Sequence, residues 1–302
     1  METKQKFYIK PEWILGILAA MAAAVLVWMI LVCMPYFEEA DPEILVHENH
    51  VNDAYTEPVT EAPTEETEPE ETMEPTIPPE SNPYNKFDFQ YNRNNYLLCQ
   101  RQDSYPGIDV SAFQGDIDWQ QVADSGIEFA IIRLGYRGYG KAGRMVEDEF
   151  ARKNLKEAKE AGISIGAYFF SQALSIAEVD EEIEFMLKIL GDTELDMYLI
   201  LDWEQVGVEG ARTEVMDART LTDMQLHFCS KISEMGYQPM VYFNWSQSSR
   251  LLYLSELEAY PFWLALYQDR MIYPYRVEMW QYTDQGRVPG IHGNVDINVY
   301  MP

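Results

Sequence analysis

A chain of 302 residues with a net charge of −28 and a sequence pI near 4.3 is a poor partner for nucleic acid, because phosphate contacts need basic surface. The charge is unevenly spread: residues 36–80 hold thirteen Glu and two Asp without one Lys or Arg, so one compact domain does not account for the whole chain. Cys33, Cys99 and Cys229, with His47, His50, His227 and His292, show no metal-ligand spacing, and neither a metal site nor a cofactor is expected.

The first element in chain order is apolar. Residues 13–34, WILGILAAMAAAVLVWMILVCM, carry no charge and as a helix would extend about 33 Å, enough to cross a bilayer. The run exceeds the roughly 7–15 apolar residues of a cleavable signal, which predicts an uncleaved transmembrane helix. Lys4, Lys6 and Lys10 precede it and no Lys or Arg follows before Lys86, so residues 1–12 are expected in the cytoplasm and the C-terminal body outside the cell membrane. Residues 35–104 read as a stalk. Within them TEPVTEAPTEETEPEETMEPTIPPE is almost wholly Thr, Glu and Pro, which buries too little apolar surface to offset the entropy of ordering. A disordered, extended spacer follows as the expectation.

From residue 105 the pattern alternates. GIDVSAF, FAIIRLGY, ISIGAYFFS, MYLILDWE, PMVYFNW and FWLALY have strand length and composition, and DEFARKNLKEAKEAGI and AEVDEEIEFMLKILGD have helical periodicity. This predicts an α/β domain over residues 105–302, a closed barrel with a largely parallel sheet. VEMWQYTD and NVDINVY follow each other with only a Gly/Pro-rich turn between them, so the last strands are expected to pair without helices. Barrel chemistry sits at the C-terminal ends of strands. Asp109, Asp202, Glu204 and Asp296 stand at strand ends, and four converging carboxylates are costly unless they serve a function. Asp118 in GDIDW reads instead as a helix cap. In LILDWEQ, Asp202 and Glu204 are two apart on a strand, on one face and about 6.6 Å apart along the backbone, with Trp203 turned away.

YPGIDVSAFQGDIDW, FAIIRLGYRG, AGISIGAYFFS, LILDWE, GYQPMVYFNW, FWLALY and WQYTDQGRVPGIHGNVDINVY resemble, in order, successive blocks of the family 25 glycoside hydrolases, lysozymes of the N-acetylmuramidase type. The resemblance covers residues 105–302 and excludes the apolar segment and the stalk. It implies an irregular (β/α) barrel of five β/α units plus three antiparallel-leaning strands. It also implies hydrolysis of the β-1,4 bond between N-acetylmuramic acid and N-acetylglucosamine in peptidoglycan, with retention of configuration. Carried over by position, it makes Glu204 the proton donor, Asp202 its partner acid, and Asp109, Asp296 and Tyr168 the remaining site groups.

The chemistry agrees with that assignment. A glycosidic bond breaks through an oxocarbenium-like state, which needs one protonated acid at the leaving oxygen and negative charge near the anomeric carbon. Glu204, with the longer arm and the more outward place, suits the first task, and an ionised Asp202 the second. The nucleophile stays open between the sugar's own acetamido group and a carboxylate. Tyr136, Tyr168, Tyr242, Trp263, Tyr267 and Trp280 are candidates to stack on sugar rings, Tyr168 foremost. The DxE pair is also similar to that of the family 18 chitinases, whose motif wants further Asp where this chain has Ile200 and Met197. That speaks against a chitinase-like β-1,4-N-acetylglucosaminidase. The other alternative is a non-catalytic, membrane-tethered glycan-binding wall anchor, against which the intact acids speak. The expected partners are peptidoglycan glycan strands and, through residues 13–34, the membrane; the sequence does not set the oligomeric state.

Overall fold

The computed structural model describes residues 79–302. The expected cytoplasmic N-terminus 1–12, the transmembrane helix 13–34 and the stalk as far as residue 78 lie outside the described residues. Among the described residues no helix is long and apolar enough to cross a membrane.

An antiparallel hairpin comes first, β1 (Phe89–Tyr91) and β2 (Leu97–Cys99). The barrel is built from β3 (Tyr105–Val110), β4 (Phe129–Arg137), β6 (Ser164–Ser171), β7 (Tyr198–Trp203), β8 (Gln238–Asn244), β9 (Phe262–Ala265), β10 (Met279–Gly286) and β11 (Val295–Tyr300). The short β5 (Met145–Glu147) lies antiparallel on β4 outside this ring. Pairing runs β3-β11-β10-β9-β8-β7-β6-β4, and a β3–β4 ladder closes it.

Five β/α units come first in this ring. α1 (Trp119–Asp124) follows β3, α2 (Ala151–Glu160) follows β4 and β5, and α3 (Ile176–Leu190) follows β6. α4 (Ala218–Glu234) follows β7, and α5 (Trp245–Arg250) with α6 (Leu254–Leu257) follows β8. The last three strands have no helices, as expected, but they do not all reverse. β9 and β10 remain parallel to their predecessors, and only β11 runs antiparallel to both of its neighbours. The cause is the connection 266–278, whose length meets the dozen or so residues that a parallel crossover needs even without a helix.

Helical periodicity explains how the outer layer seats. On α2 the buried residues are Ala151, Asn154, Leu155 and Ala158, a single stripe at i, i+3, i+4 and i+7. Side chains of Asp118, Ser175, Asp217 and Asn244 cap the N-termini of α1, α3, α4 and α5, so the capping role expected of Asp118 is met.

Strand parity divides the apolar residues into two cores. Ile108, Leu199, Leu201, Trp203, Phe243, Leu264, Trp280, Ile297 and Val299 face out toward the helices and the hairpin. Phe129, Ile131, Tyr168, Tyr198, Ile200, Met240, Tyr242, Trp263 and Met279 fill the barrel interior. Gly107 shows how tightly that interior is filled, because a Cβ there would lie 2.3 Å from the Phe129 ring. At the closed end the hydroxyls of Tyr198 and Tyr300 meet at 2.9 Å.

One boundary is corrected. The segment 81–104, expected to belong to the stalk, is folded against the barrel. Phe89, Tyr96, Leu97 and Cys99 are buried, Phe89 packs edge-on to Trp280 at 5.1 Å, and the Leu97 amide donates to the Tyr282 hydroxyl. Its apolar residues fall in two short runs, around Phe89 and at Tyr96–Cys99, too short to read as barrel elements, and they cover the outer face that β10 leaves bare without a helix. Cys99 and Cys229 are both free and buried.

Candidate active site

The parity expected of LILDWEQ is met in the fold. Tyr198 and Ile200 of β7 point into the barrel, so Asp202 takes the same face and Glu204 follows it just past the strand end. Trp203 points outward, and its indole donates to the Ala173 carbonyl at 2.8 Å. Both acids are nearly covered, at 6% and 8% exposure.

Three buried glutamines hold the backbone that carries these acids. Gln225 of α4 donates to the Leu201 carbonyl at 3.2 Å, Gln247 of α5 to the Trp203 carbonyl at 2.6 Å, and Gln172 to the Glu204 carbonyl at 2.6 Å. Gln172 in turn accepts from the Thr213 hydroxyl at 2.7 Å. A parallel strand end with no further ladder partner would leave such carbonyls to water; here side chains from three separate elements take them up. Sequence reading missed all three, since a glutamine inside an amphipathic helix, as Gln225 and Gln247 are, or in a loop, as Gln172 is, looks like a solvated residue.

The other acids come from neighbouring strands. Asp109 of β3 and Asp296 of β11 are register partners, which places their Cβ atoms within about 4.5–5.5 Å. Asp109 is fixed from one side, for its Oδ2 accepts from Gln281 Nε2 at 2.9 Å and from Asn298 Nδ2 at 2.7 Å. Asn298 Oδ1 accepts from the Trp263 indole at 2.8 Å, and Gln281 Oε1 from the Tyr267 hydroxyl at 3.0 Å. Gln281 and Asn298 were also missed. Their signal was parity, since Gln281 lies one position from outward Trp280 and Asn298 two positions from Asp296.

Two tyrosines register the convergence of all four acids. Burial, then the charge of Glu204, followed by Tyr267, Asp202 and Asp109, holds the Tyr242 hydroxyl well above its usual range. Burial, then the charges of Asp296, Glu204, Asp109 and Asp284, does the same to Tyr267. Both hydroxyls therefore stay protonated and act as donors. That of Tyr242 is buried with no hydrogen-bond partner among the described residues.

The remaining expected residues divide. Tyr168 lies inside the barrel at 3% exposure, and Trp263 packs edge-on to Tyr242 at 4.8 Å, so Trp263 is floor and support for Asp109 more than an open stacking face. Tyr136 stands at the rim beside Arg133, a cation that sequence reading passed over inside FAIIRLGY. The Arg133 guanidinium lies 5.6 Å from the Tyr136 ring and 5.0 Å from that of Phe113, and it is paired with buried Asp148 at 2.9 Å. Trp280 does not belong to the mouth. Its parity turns it outward, where it is fully buried against Phe89 and Tyr282. Among the described residues no group of three or more His, Cys, Asp or Glu could hold a metal ion.

Behind the mouth, Arg137 at the end of β4 binds Glu182 of α3 at 2.6 Å, and Glu182 also accepts from the Ser171 hydroxyl at 2.6 Å. Burial pushes Glu182 up to about 7 against the pull of Ser171 and Arg137. The pair ties two strand ends to the helix outside them.

With this geometry in place, comparison with known proteins is direct. The family model for Glycosyl hydrolases family 25 matches residues 108–291. The uncharacterized protein YegX of Escherichia coli (strain K12) is 31% identical over 208 residues, which cover 64% of this chain and 68% of YegX. Lysozyme M1 of Streptomyces globisporus is 26% identical over 203 residues, 64% of this chain and 67% of the lysozyme. The modular autolysin LytC of Streptococcus pneumoniae, solved in complex with a synthetic peptidoglycan ligand, shares the fold with a TM-score of 0.58 at 24% identity. That match covers 70% of this chain and 50% of LytC, so the chain spans half the length of that autolysin. A match over most of the barrel, and a relative above 30% identity aligned over two thirds of its length, place the chain in a family: it belongs to the glycosyl hydrolases of family 25.

Proposed function

We propose that the barrel hydrolyses the β-1,4 bond between N-acetylmuramic acid and N-acetylglucosamine in peptidoglycan, with retention of configuration. The observation that carries this reading is the convergence of Asp109, Asp202, Glu204 and Asp296 on Tyr242 and Tyr267 at the C-terminal mouth. Glu204 protonates the leaving oxygen. Asp202, on the same face and one step deeper, supplies the negative charge that steadies the oxocarbenium-like state. The sugar's acetamido group attacks the anomeric carbon, oriented by Asp202, and the unpartnered Tyr242 hydroxyl donates to the acetamido oxygen. Water, giving its proton to the now ionised Glu204, then opens the cyclic intermediate from the face that the leaving sugar vacated, opposite the acetamido oxygen, which gives retention.

The same proposal puts the enzyme at the outer face of the cell membrane. Residues 13–34 anchor it once, and the acidic Thr/Glu/Pro segment holds the barrel away from the bilayer toward the wall. The supporting facts are the uncharged run of 22 residues with Lys4, Lys6 and Lys10 on one side of it.

Mass spectrometry of fragments released from purified peptidoglycan tests the activity. Muramic acid at the new reducing end is expected, and N-acetylglucosamine there overturns the assignment. Proton NMR of the first product settles the stereochemistry, with the β-anomer expected.

A further inference from the structure

A second cavity opens on the same rim as the acids. It holds about 500 Å³ and lies between the hairpin tip, the connection after β9 and the far end of β10, lined by Tyr91, Asn95, Tyr267, Gln268, Asp284 and Gln285 among others. Tyr267 joins it to the mouth, since the charges acting on that tyrosine are those of Asp296, Glu204 and Asp109 together with Asp284 of the cavity wall. The volume falls within the roughly 300–1,000 Å³ of small-ligand sites.

One wall comes from outside the family match. Tyr91 and Asn95 belong to the hairpin, whereas the match begins at residue 108. The hairpin is firmly seated, with Asn94 donating to the Ser125 carbonyl at 2.8 Å and the Tyr96 hydroxyl 2.8 Å from that of Ser125. It nevertheless leaves Tyr91 at 51% exposure, held edge-on to Tyr282 at 6.5 Å. An aromatic ring fixed at a rim, beside side-chain amides and a carboxylate, matches a ligand with one apolar face and an edge of hydroxyl and acetamido groups. A neutral sugar ring has that chemistry. In the wall Asp269 and Asp284 outnumber Arg287, and the chain as a whole is acidic, so a neutral strand is favoured over an anionic peptide.

We infer that the hairpin and the β10 end form an accessory glycan subsite, which takes sugar residues of the strand beyond those bound at the acids. The inference rests on the proposed muramidase activity. It predicts that long strands are better substrates than short ones, and that Tyr91 carries much of the difference.

The test is kcat/KM on a tetrasaccharide and an octasaccharide of alternating N-acetylglucosamine and N-acetylmuramic acid, free of stem peptides and with lactyl groups capped as amides. The octasaccharide is expected to be the better substrate. Tyr91→Ala is expected to cut that advantage about fivefold, the loss of one aromatic contact, and Tyr91→Trp to keep it. Equal efficiency on both lengths in the wild type overturns the subsite alone, as does an advantage that survives Tyr91→Ala or an equal loss on both lengths. Failure to cleave either oligomer overturns the activity itself, and the subsite with it.

Discussion

Glu204 and Asp202 share one strand end, and pH separates the tasks proposed for them. Glu204→Gln keeps the shape but has no proton to give, and is expected to lose about 10²- to 10⁴-fold in kcat. Asp202→Asn should also slow hydrolysis. Its surviving activity should show the alkaline limb of kcat/KM displaced to lower pH, because Glu204 then loses the anion on its own strand face that helps to hold its proton. An unmoved limb removes the coupling, and near-normal activity in Glu204→Gln removes the general acid. The glutamine clamp gives a second test of positioning. Gln247→Leu frees the Trp203 carbonyl, and a small displacement of the acids is expected to lower kcat by about 10- to 100-fold with KM nearly unchanged. A loss confined to thermal stability would mean that Gln247 only supports the fold. The acids were legible in sequence because strand parity and their place after apolar runs are local patterns. Their supports were not, since Gln172, Gln225, Gln247, Gln281 and Asn298 are ordinary amides whose meaning depends on which carbonyl or carboxylate the fold brings to them. Trp280 was misread for the complementary reason: its strand was recognised, but whether a position faces the mouth or the hairpin depends on register.

Alternation of strands and helices from residue 105 onward made a closed, largely parallel barrel readable, and the family resemblance implied its five β/α units, while the hairpin 89–99 escaped. A pair of three-residue strands carries almost no periodic signal, and two such strands alone are at best marginally stable in water. Packing on β10 is what makes them persist. A protein that begins at Tyr105 therefore exposes Trp280 and Tyr282 and loses the burial of Phe89 and Leu97, each worth about 1.5–3 kcal/mol. Compared with residues 79–302, it is expected to unfold about 10 °C lower or more, as read by circular dichroism. Equal midpoints would return residues 81–104 to the stalk. The same comparison bears on catalysis, since Gln281 holds Asp109 from the strand that the hairpin covers, and a loosened β10 would reach the acids through that amide.

The chain joins an acidic Thr/Glu/Pro-rich segment to an acidic barrel, and in the proposed arrangement the segment acts as a spacer that contributes reach rather than attraction. Residues 56–78 would extend about 70 Å if polyproline-like, a reach that self-repulsion and proline favour. The described residues begin beside them. The Glu80 carbonyl accepts from the Arg276 amide, Glu80 also pairs with the Arg276 side chain at 3.1 Å, and Ser81 bridges Tyr275. A deletion should therefore stop at residue 78, which leaves those contacts in place. With residues 56–78 removed, hydrolysis of soluble glycan is expected to remain at the wild-type rate, because the barrel and its rim are untouched. Release of fragments from intact wall by the membrane-held enzyme should fall, and a Gly/Ser spacer of similar reach should restore it, since distance and not sequence is what the segment supplies. Equal losses on soluble and intact substrate would make the segment part of the fold. Full activity on intact wall without the segment would show that the barrel reaches its substrate unaided, and the spacer would then need another purpose.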